Sequence, residues 1–116
     1  MRSQGKPLSR IIPGCCLVLL ACGSPKRDEP DKPAFVPATP TIALGEQVFK
    51  KQCDYCHPGG GAGLGPALNN KPAPAFAIRF QIRHGLGAMP AFDSTQIAES
   101  DVRAIADYLL ALRRSD

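Results

Sequence analysis

The residues whose types and spacing best suit chemistry stand at positions 53–57, where the sequence reads CDYCH. Two thiols at this spacing, Cys53 and Cys56, can add to the two vinyl groups of one haem. Covalent attachment then places the next residue, His57, where its imidazole can bind the iron. The motif therefore predicts one covalently attached haem c, with two thioether bonds and a proximal histidine ligand to the iron.

Two other chemistries also use paired cysteines. A dithiol redox site usually follows a strand in a βαβ unit, and the sequence shows no such unit. A zinc site needs four ligands, and Cys56 and His57 are adjacent, which is a poor spacing for a tetrahedron. Haem attachment is therefore the favoured interpretation.

A haem iron that is bound by one histidine has a sixth coordination position. The candidate ligands after the motif are Met89 and His84. Met89 stands in LGAMPAF at 86–92, where glycine before it and proline after it suit a tight loop. A thioether ligand is soft and neutral, favours ferrous iron and raises the reduction potential. We predict Met89 as the distal ligand, with core filling as its alternative role, and we place His84 at a helix end.

The N-terminus predicts an export signal at residues 1–21. Basic residues precede an apolar stretch at 11–21, which is far shorter than the roughly 20 residues that span a bilayer as a helix. The sequence LLAC at 19–22 resembles the lipobox of bacterial lipoproteins, in which the cysteine, here Cys22, becomes the lipidated first residue. The alternative is an ordinary cleaved signal that releases a soluble periplasmic protein.

Composition divides the rest of the chain into a tether at 22–40 and a domain at 41–116. The tether is rich in proline and charged residues, so it favours extended chain and cannot form a core. It serves either to let the domain swing between partners or as a passive spacer. A domain of about 75 residues has a marginal core and usually needs a disulfide, a metal or a large cofactor.

The formal net charge of +4 does not indicate nucleic-acid binding. Three of the 14 basic residues, Arg2, Lys6 and Arg10, lie in the predicted signal. The rest of the chain then has 11 basic and 10 acidic residues. The remaining net charge is +1, and no basic run supports a nucleic-acid surface. We therefore expect no nucleic-acid partner.

Three helices are predicted in the domain. The first begins with Thr39 as its cap and Pro40 in its first turn. The last contains an apolar stripe over 102–112, with acidic residues near its start and basic residues at its end. Residues 76–83 alternate as in a strand but have no partner strand. They also fit the i,i+4 spacing of a helix that ends at Gly85, so we predict a helix there.

The predicted helices, the CDYCH motif and the Met89 segment follow one another along the chain as in the class I c-type cytochromes, which residues 42–114 resemble. Gly45 fits the family's N-terminal helix, where glycine lets the C-terminal helix cross closely, and 53–57 fits its haem motif. Pro66 fits the residue whose carbonyl accepts a hydrogen bond from the proximal histidine, and 83–92 resembles the distal segment of short bacterial members. The resemblance implies an all-α fold, a small cytochrome c fold of a few helices wrapped around one haem.

The resemblance also implies what surrounds the haem. Arg79 and Arg83 either neutralise the haem propionates or lie on a solvated helix face. The sequence departs from the family at Ala98, which stands where a Ser or Thr cap of the C-terminal helix is common. The expected apolar walls of the haem are Phe49, Leu68, Phe76, Phe80, Ile82 and Tyr108.

A single-electron carrier, and no enzyme, is the function that these features predict. An iron with a histidine and a methionine ligand has no open position, and the sequence offers no acid–base or nucleophile constellation. The expected partners are a redox donor and a redox acceptor, membrane-bound or periplasmic, and a lipid anchor would hold the protein on the periplasmic side of a bacterial membrane. The alternatives are a fixed haem subunit of a larger dehydrogenase or oxidase complex, a haem peroxidase or a gas-sensing module.

Overall fold

The computed structural model describes residues 34–115, so the predicted signal, Cys22 and most of the predicted tether lie outside the described residues. This part of the chain contains three α-helices, one 3₁₀ turn and no strand, which confirms the all-α prediction. None of its helices is both long and apolar enough to cross a bilayer. The helices are α1 (Pro40–Gln52), α2 (Ala75–His84) and α3 (Glu99–Arg114), and the 3₁₀ turn is Pro58–Gly60.

Helix α1 begins as its sequence predicts. The Thr39 hydroxyl oxygen accepts a hydrogen bond from the Ile42 backbone N–H at 3.2 Å, and Pro40 stands in the first turn, where its missing N–H is not needed. The helix ends at Gln52, and the N–H of Cys53 donates to the Phe49 carbonyl oxygen at 2.8 Å. The first cysteine of the motif is therefore the cap residue of α1.

Helices α1 and α3 cross closely at Gly45, as the family resemblance implies. A Cβ atom at Gly45 would lie 2.0 Å from the carbonyl oxygen of Ala104 and 2.9 Å from Cβ of Tyr108. Phe49 is fully buried beside this crossing, and its ring lies 5.3 Å from that of Tyr108. The glycine allows the two helices to form the centre of the core.

Residues 76–83 lie within helix α2, which confirms the prediction of a helix there. Gly85 ends it with φ +68°, a left-handed value that favours glycine, and the Gly85 N–H donates to Gln81 O at 2.8 Å. Ile82 is buried and Ile78 packs against the core. The period-two alternation therefore does not mark a strand.

Helix α3 carries the long apolar stripe that its sequence predicts, with acidic residues in the first turn and basic residues in the last. Its buried residues pack against α1 and α2. Ala98 stands at its N-cap and provides no side-chain cap. The stripe supplies much of the core cluster, which consists of Phe49, Ile82, Ile97, Val102, Ile105, Tyr108 and Leu109.

The packed part of the chain begins before the predicted domain start at residue 41. Phe35 lies against the core, and its ring meets Tyr108 edge-to-face at 5.4 Å between centroids. The last residues of the predicted tether therefore belong structurally to the domain.

Candidate haem-attachment site

The CDYCH motif forms a tight turn directly after α1. The N–H groups of Cys56 and His57 both donate to the Cys53 carbonyl oxygen, at 3.1 and 2.9 Å. Both thiols are free and half-buried. The turn thus holds two thiols and one imidazole on a short stretch of backbone whose position is fixed by the end of the helix.

His57 is buried, with only 6% of its surface exposed. Its Nδ1 lies 2.8 Å from the carbonyl oxygen of Pro66. A carbonyl oxygen can only accept, so Nδ1 carries the proton and donates it to this bond. The lone pair of Nε2 is then available to a metal, and the hydrogen bond fixes the orientation of the ring.

Gly65 lies against the His57 ring. A Cβ atom at this glycine would stand 2.2 Å from Cε1 of the ring and under 3 Å from both ring nitrogens. The Gly65 N–H also donates to the Cys56 carbonyl oxygen at 2.9 Å. This ring contact was not predicted, although the position of Gly65 directly before Pro66 is a signal that could have indicated it.

Burial raises the pKa of the free Cys53 thiol to about 11, and the nearby Cys56 and Asp54 add to the rise. Before attachment the thiol is therefore in its neutral form at physiological pH. Within residues 34–115 no group of three or more His, Cys, Asp or Glu side chains is arranged to hold a metal ion directly. The described residues thus give no support to the zinc alternative.

Met89 stands in a tight turn after α2. The N–H of Leu86 donates to Met89 O at 3.1 Å, and the N–H of Met89 donates to Leu86 O at 3.0 Å. Gly85 and Gly87 adopt left-handed φ values of +68° and +58° that allow this turn. The Met89 side chain is half-buried against the same core cluster that Cys53 contacts.

His84, the other candidate ligand, lies exposed at the end of α2, as expected. Its Nδ1 donates to the Phe80 carbonyl oxygen at 2.8 Å, and its ring stacks on the Phe80 ring at 3.9 Å between centroids. These two contacts hold the imidazole along its own helix.

The structure gives Arg83 partners other than those expected from the sequence. Its guanidinium is not free on a solvated helix face, because it is already bonded to other groups of the protein. It donates to the carbonyl oxygens of Phe92 and Ile97 and to the carboxylate of Glu99. Arg79 is half-exposed. Pairing of Arg79 or Arg83 with a haem propionate stays a prediction.

Two of the six expected apolar walls of the haem, Phe76 and Phe80, lie outside the core cluster of the described residues. Phe76 and Phe80 are 68% and 62% exposed. In a helix they lie on the side opposite to Ile78 and Ile82, which pack against the core cluster. The physical reason is the helical period, since one helix of this length cannot direct both pairs to the same side.

The residues present fit a covalently attached haem. Two thiols stand at the spacing that the vinyl groups require, and the neighbouring imidazole has its Nδ1 occupied and its Nε2 available. The tight turn at Met89 adds a soft, uncharged sulfur donor beside the same core.

Comparisons with known proteins match the part of the chain that contains this site. Residues 40–109 match the family described as cytochrome C oxidase, cbb3-type, subunit III. Cytochrome c6 of Alaria esculenta is 35% identical over 77 residues, which cover 60% of this chain and 88% of the relative. Cytochrome c6 of Cyanidioschyzon merolae is 37% identical over 78 residues, with 60% and 73% covered.

A third relative is a subunit of an enzyme. The 4-cresol dehydrogenase [hydroxylating] cytochrome c subunit of Pseudomonas putida is 32% identical over 68 residues, which cover 59% of each chain. No solved structure matches the chain significantly.

The chain belongs to the c-type cytochrome family, in which an iron-containing haem c is covalently bound. The work of such a domain is haem-based electron transfer, which requires redox partners.

Proposed function

We propose that this protein is a membrane-tethered single-electron carrier. Cys53 and Cys56 form the two thioether bonds to the haem, and His57 and Met89 are its axial ligands. The observation that carries the proposal is the buried His57 ring, which is held through Nδ1 by Pro66 O at 2.8 Å with its Nε2 available. The haem, when bound, supplies an iron that alternates between the ferric and ferrous states.

Met89 is the favoured sixth ligand because its turn is fixed by two backbone hydrogen bonds and two left-handed glycines. A turn with so little freedom presents the thioether with a small loss of entropy. The competing donor, His84, has its Nδ1 bonded and its ring stacked on Phe80. An iron with both axial positions filled by protein has no site for a substrate, which favours a carrier over a peroxidase or a gas sensor.

A redox titration followed by haem absorbance tests the proposal. We expect a reversible one-electron curve for the matured wild-type protein and a lower potential for Met89→Ala, because water or an empty position replaces a sulfur that favours ferrous iron. His84→Ala is the matched control, and its potential should stay near that of wild type. Equal potentials for wild type and Met89→Ala would refute Met89 as the ligand, and tight carbon monoxide binding by reduced wild type would favour the sensor.

A fixed haem subunit of a larger complex is the second candidate. It is favoured by the resemblance to the cytochrome c subunit of 4-cresol dehydrogenase. Co-purification at stoichiometric yield with a larger oxidoreductase would support this candidate, whereas recovery of a separate protein that exchanges electrons at a concentration-dependent rate would support the carrier.

We also propose that residues 1–21 are a bacterial export signal and that lipidated Cys22 anchors residue 22 onward to the periplasmic face of a membrane. The support is the LLAC sequence at 19–22 and the proline-rich stretch that follows it. Domain 41–116 would be carried by this tether, which is shortened at its end by the packing of Phe35. Mass spectrometry of the mature N-terminal peptide tests this: a diacylglyceryl cysteine at position 22 supports the anchor, and an unmodified N-terminus supports a soluble periplasmic protein.

A further inference from the structure

Met89 lies between α2 and α3 in a segment that is fastened to α2 on both sides of the methionine. Before Met89, Gly85 closes the helix, and Leu86 exchanges two backbone hydrogen bonds with Met89. After Met89, the N–H of Phe92 donates to the Ile82 carbonyl oxygen at 2.9 Å. The segment therefore leaves the end of α2 and returns to it.

The guanidinium of Arg83 extends this fastening toward α3. Its Nη1 donates to Phe92 O at 3.1 Å and to Ile97 O at 2.8 Å, and its Nη2 donates to Glu99 Oε2 at 3.1 Å. The Arg83 side chain is only 20% exposed, so water screens its bonds to the two carbonyl oxygens little. Glu99 is 57% exposed, and its pair with Arg83 is screened more. One side chain thus holds both the end of the Met89 segment and the start of α3.

We infer that Arg83 is a positioning residue that keeps Met89 on the haem iron. The inference rests on the proposed ligation by His57 and Met89. A methionine leaves the iron more readily when its loop can move, so bonds that hold the loop lower the population of the open state. Arg83 acts through the backbone at Phe92 and Ile97 and not on the sulfur itself.

The test uses matured, haem-loaded protein and the variant Arg83→Met, which keeps the length of the side chain but removes its donors. The readouts are the weak far-red band of ferric iron–methionine sulfur and the rate at which imidazole binds the ferric protein. Because methionine release limits that rate, we expect binding to be about tenfold faster or more, which is the factor that loss of roughly one charge-assisted bond produces. Arg83→Lys keeps the charge but not the fork, so its rate should be intermediate.

Arg113→Met is the matched control. Like Arg83, Arg113 donates hydrogen bonds to backbone carbonyl oxygens of a loop. Its Nη1 donates to Lys71 O and, at 2.9 Å, to Ala73 O. That loop precedes α2 and does not contain Met89. We expect Arg113→Met to lower the melting temperature while the imidazole rate and the far-red band stay those of wild type.

Unchanged imidazole rates in both Arg83 variants, with the far-red band present, would overturn the inference. Equal acceleration in Arg113→Met would overturn it too, because the effect would then be one of general stability. If Arg83→Met fails to fold, Arg83→Lys alone decides the question. Absence of the far-red band in wild type would refute the proposed Met89 ligation itself, so the two failures are distinguishable.

Discussion

The two loops that carry the proposed axial ligands are held in different ways. The proximal loop, residues 57–66, is fixed by contacts within itself: Pro66 O accepts from His57, and Gly65 lies against the same ring. The distal loop, residues 85–97, has the internal Leu86–Met89 bonds and is in addition attached to α2 through the N–H of Phe92 and the guanidinium of Arg83. The proximal loop thus needs no other element, whereas the distal loop also depends on its contacts with α2.

This difference predicts which axial ligand is the weaker one. The proposed covalent attachment at Cys53 and Cys56 would keep His57 near the iron even when the helices loosen. Met89 has no covalent bond to the haem in the proposed arrangement, so it can leave when α2 and α3 loosen. Ligand exchange should therefore occur on the distal side, and loss of the fold should begin there.

The largest expected effect comes from removing the covalent bonds of the proximal side. The double variant Cys53→Ser/Cys56→Ser should lose all covalent haem and with it most of the folded domain, because so small a core needs its cofactor. The measurements are haem staining after denaturing electrophoresis and circular dichroism. Tyr55→Ser, at an exposed position inside the motif, is the control, and covalent haem in the double variant would contradict the attachment sites.

Gly65→Ala tests whether the proximal loop is as tightly fitted as its contacts indicate. The new methyl group would stand 2.2 Å from Cε1 of His57, so either the ring or the loop must move. We expect a loss of about 1–3 kcal/mol in the free energy of unfolding, together with a shifted reduction potential. Denaturant titration and potentiometry measure these two changes, and a stable Gly65→Ala variant with an unchanged potential would show the fit to be loose.

Gly85→Ala and Gly87→Ala form a matched pair on the distal side. Both positions have positive φ values, so alanine is strained at either, and at Gly85 the ψ of 177° adds to the strain because this region is essentially restricted to glycine. Only at Gly85 would the new Cβ also clash, at 2.5 Å from Met89 O. We expect Gly85→Ala to weaken the far-red band while Gly87→Ala leaves it intact, and equal bands in the two variants would contradict the close packing of the turn.

The smallest expected effect is a loosening of the distal loop by acid. The hydrogen bond from Arg83, with added attraction from Arg83 and Arg103, lowers the pKa of Glu99 below its usual value. A lowered pKa means that the contribution of Glu99 to stability is complete above the unfolded pKa and is lost as pH falls through the folded value.

Imidazole binding to the ferric protein should therefore become somewhat faster as the pH falls through the lowered pKa of Glu99. Asp93, in the same loop, also has a lowered pKa because it accepts hydrogen bonds from Thr95 and Gln96. Glu99→Gln should flatten part of the pH profile, with Asp107→Asn on the exposed side of α3 as the control. An acid response of the same size in Glu99→Gln would assign it to other groups.

Local signals in the sequence predicted most of the helices and of the attachment site. The Thr39 cap, the Gly85 stop and the α3 stripe depend on residues within a few positions of one another. The Pro66 carbonyl beside His57 came from family resemblance, and the structure has that contact. The helix cap, the helix stop and the apolar stripe can be predicted because residues close in sequence determine them.

Contacts between separate elements could not be read from the sequence. Arg83 reaches from α2 to carbonyl oxygens in the loop that follows, and a backbone carbonyl carries no sequence signature. Phe35 packs on Tyr108 from a segment whose prolines indicate a linker. The outward direction of Phe76 and Phe80, in contrast, follows from the helical period once Ile78 and Ile82 are assigned to the core.

The central claim is that His57 and Met89 bind the iron together, and the most direct test is a visible to near-infrared spectrum of the matured protein in both oxidation states. The account predicts a low-spin haem with the weak far-red band of ferric iron–methionine sulfur, and it predicts that Met89→Ala lacks this band while His84→Ala retains it. A haem without the band in wild type, or a band that persists in Met89→Ala, would contradict it.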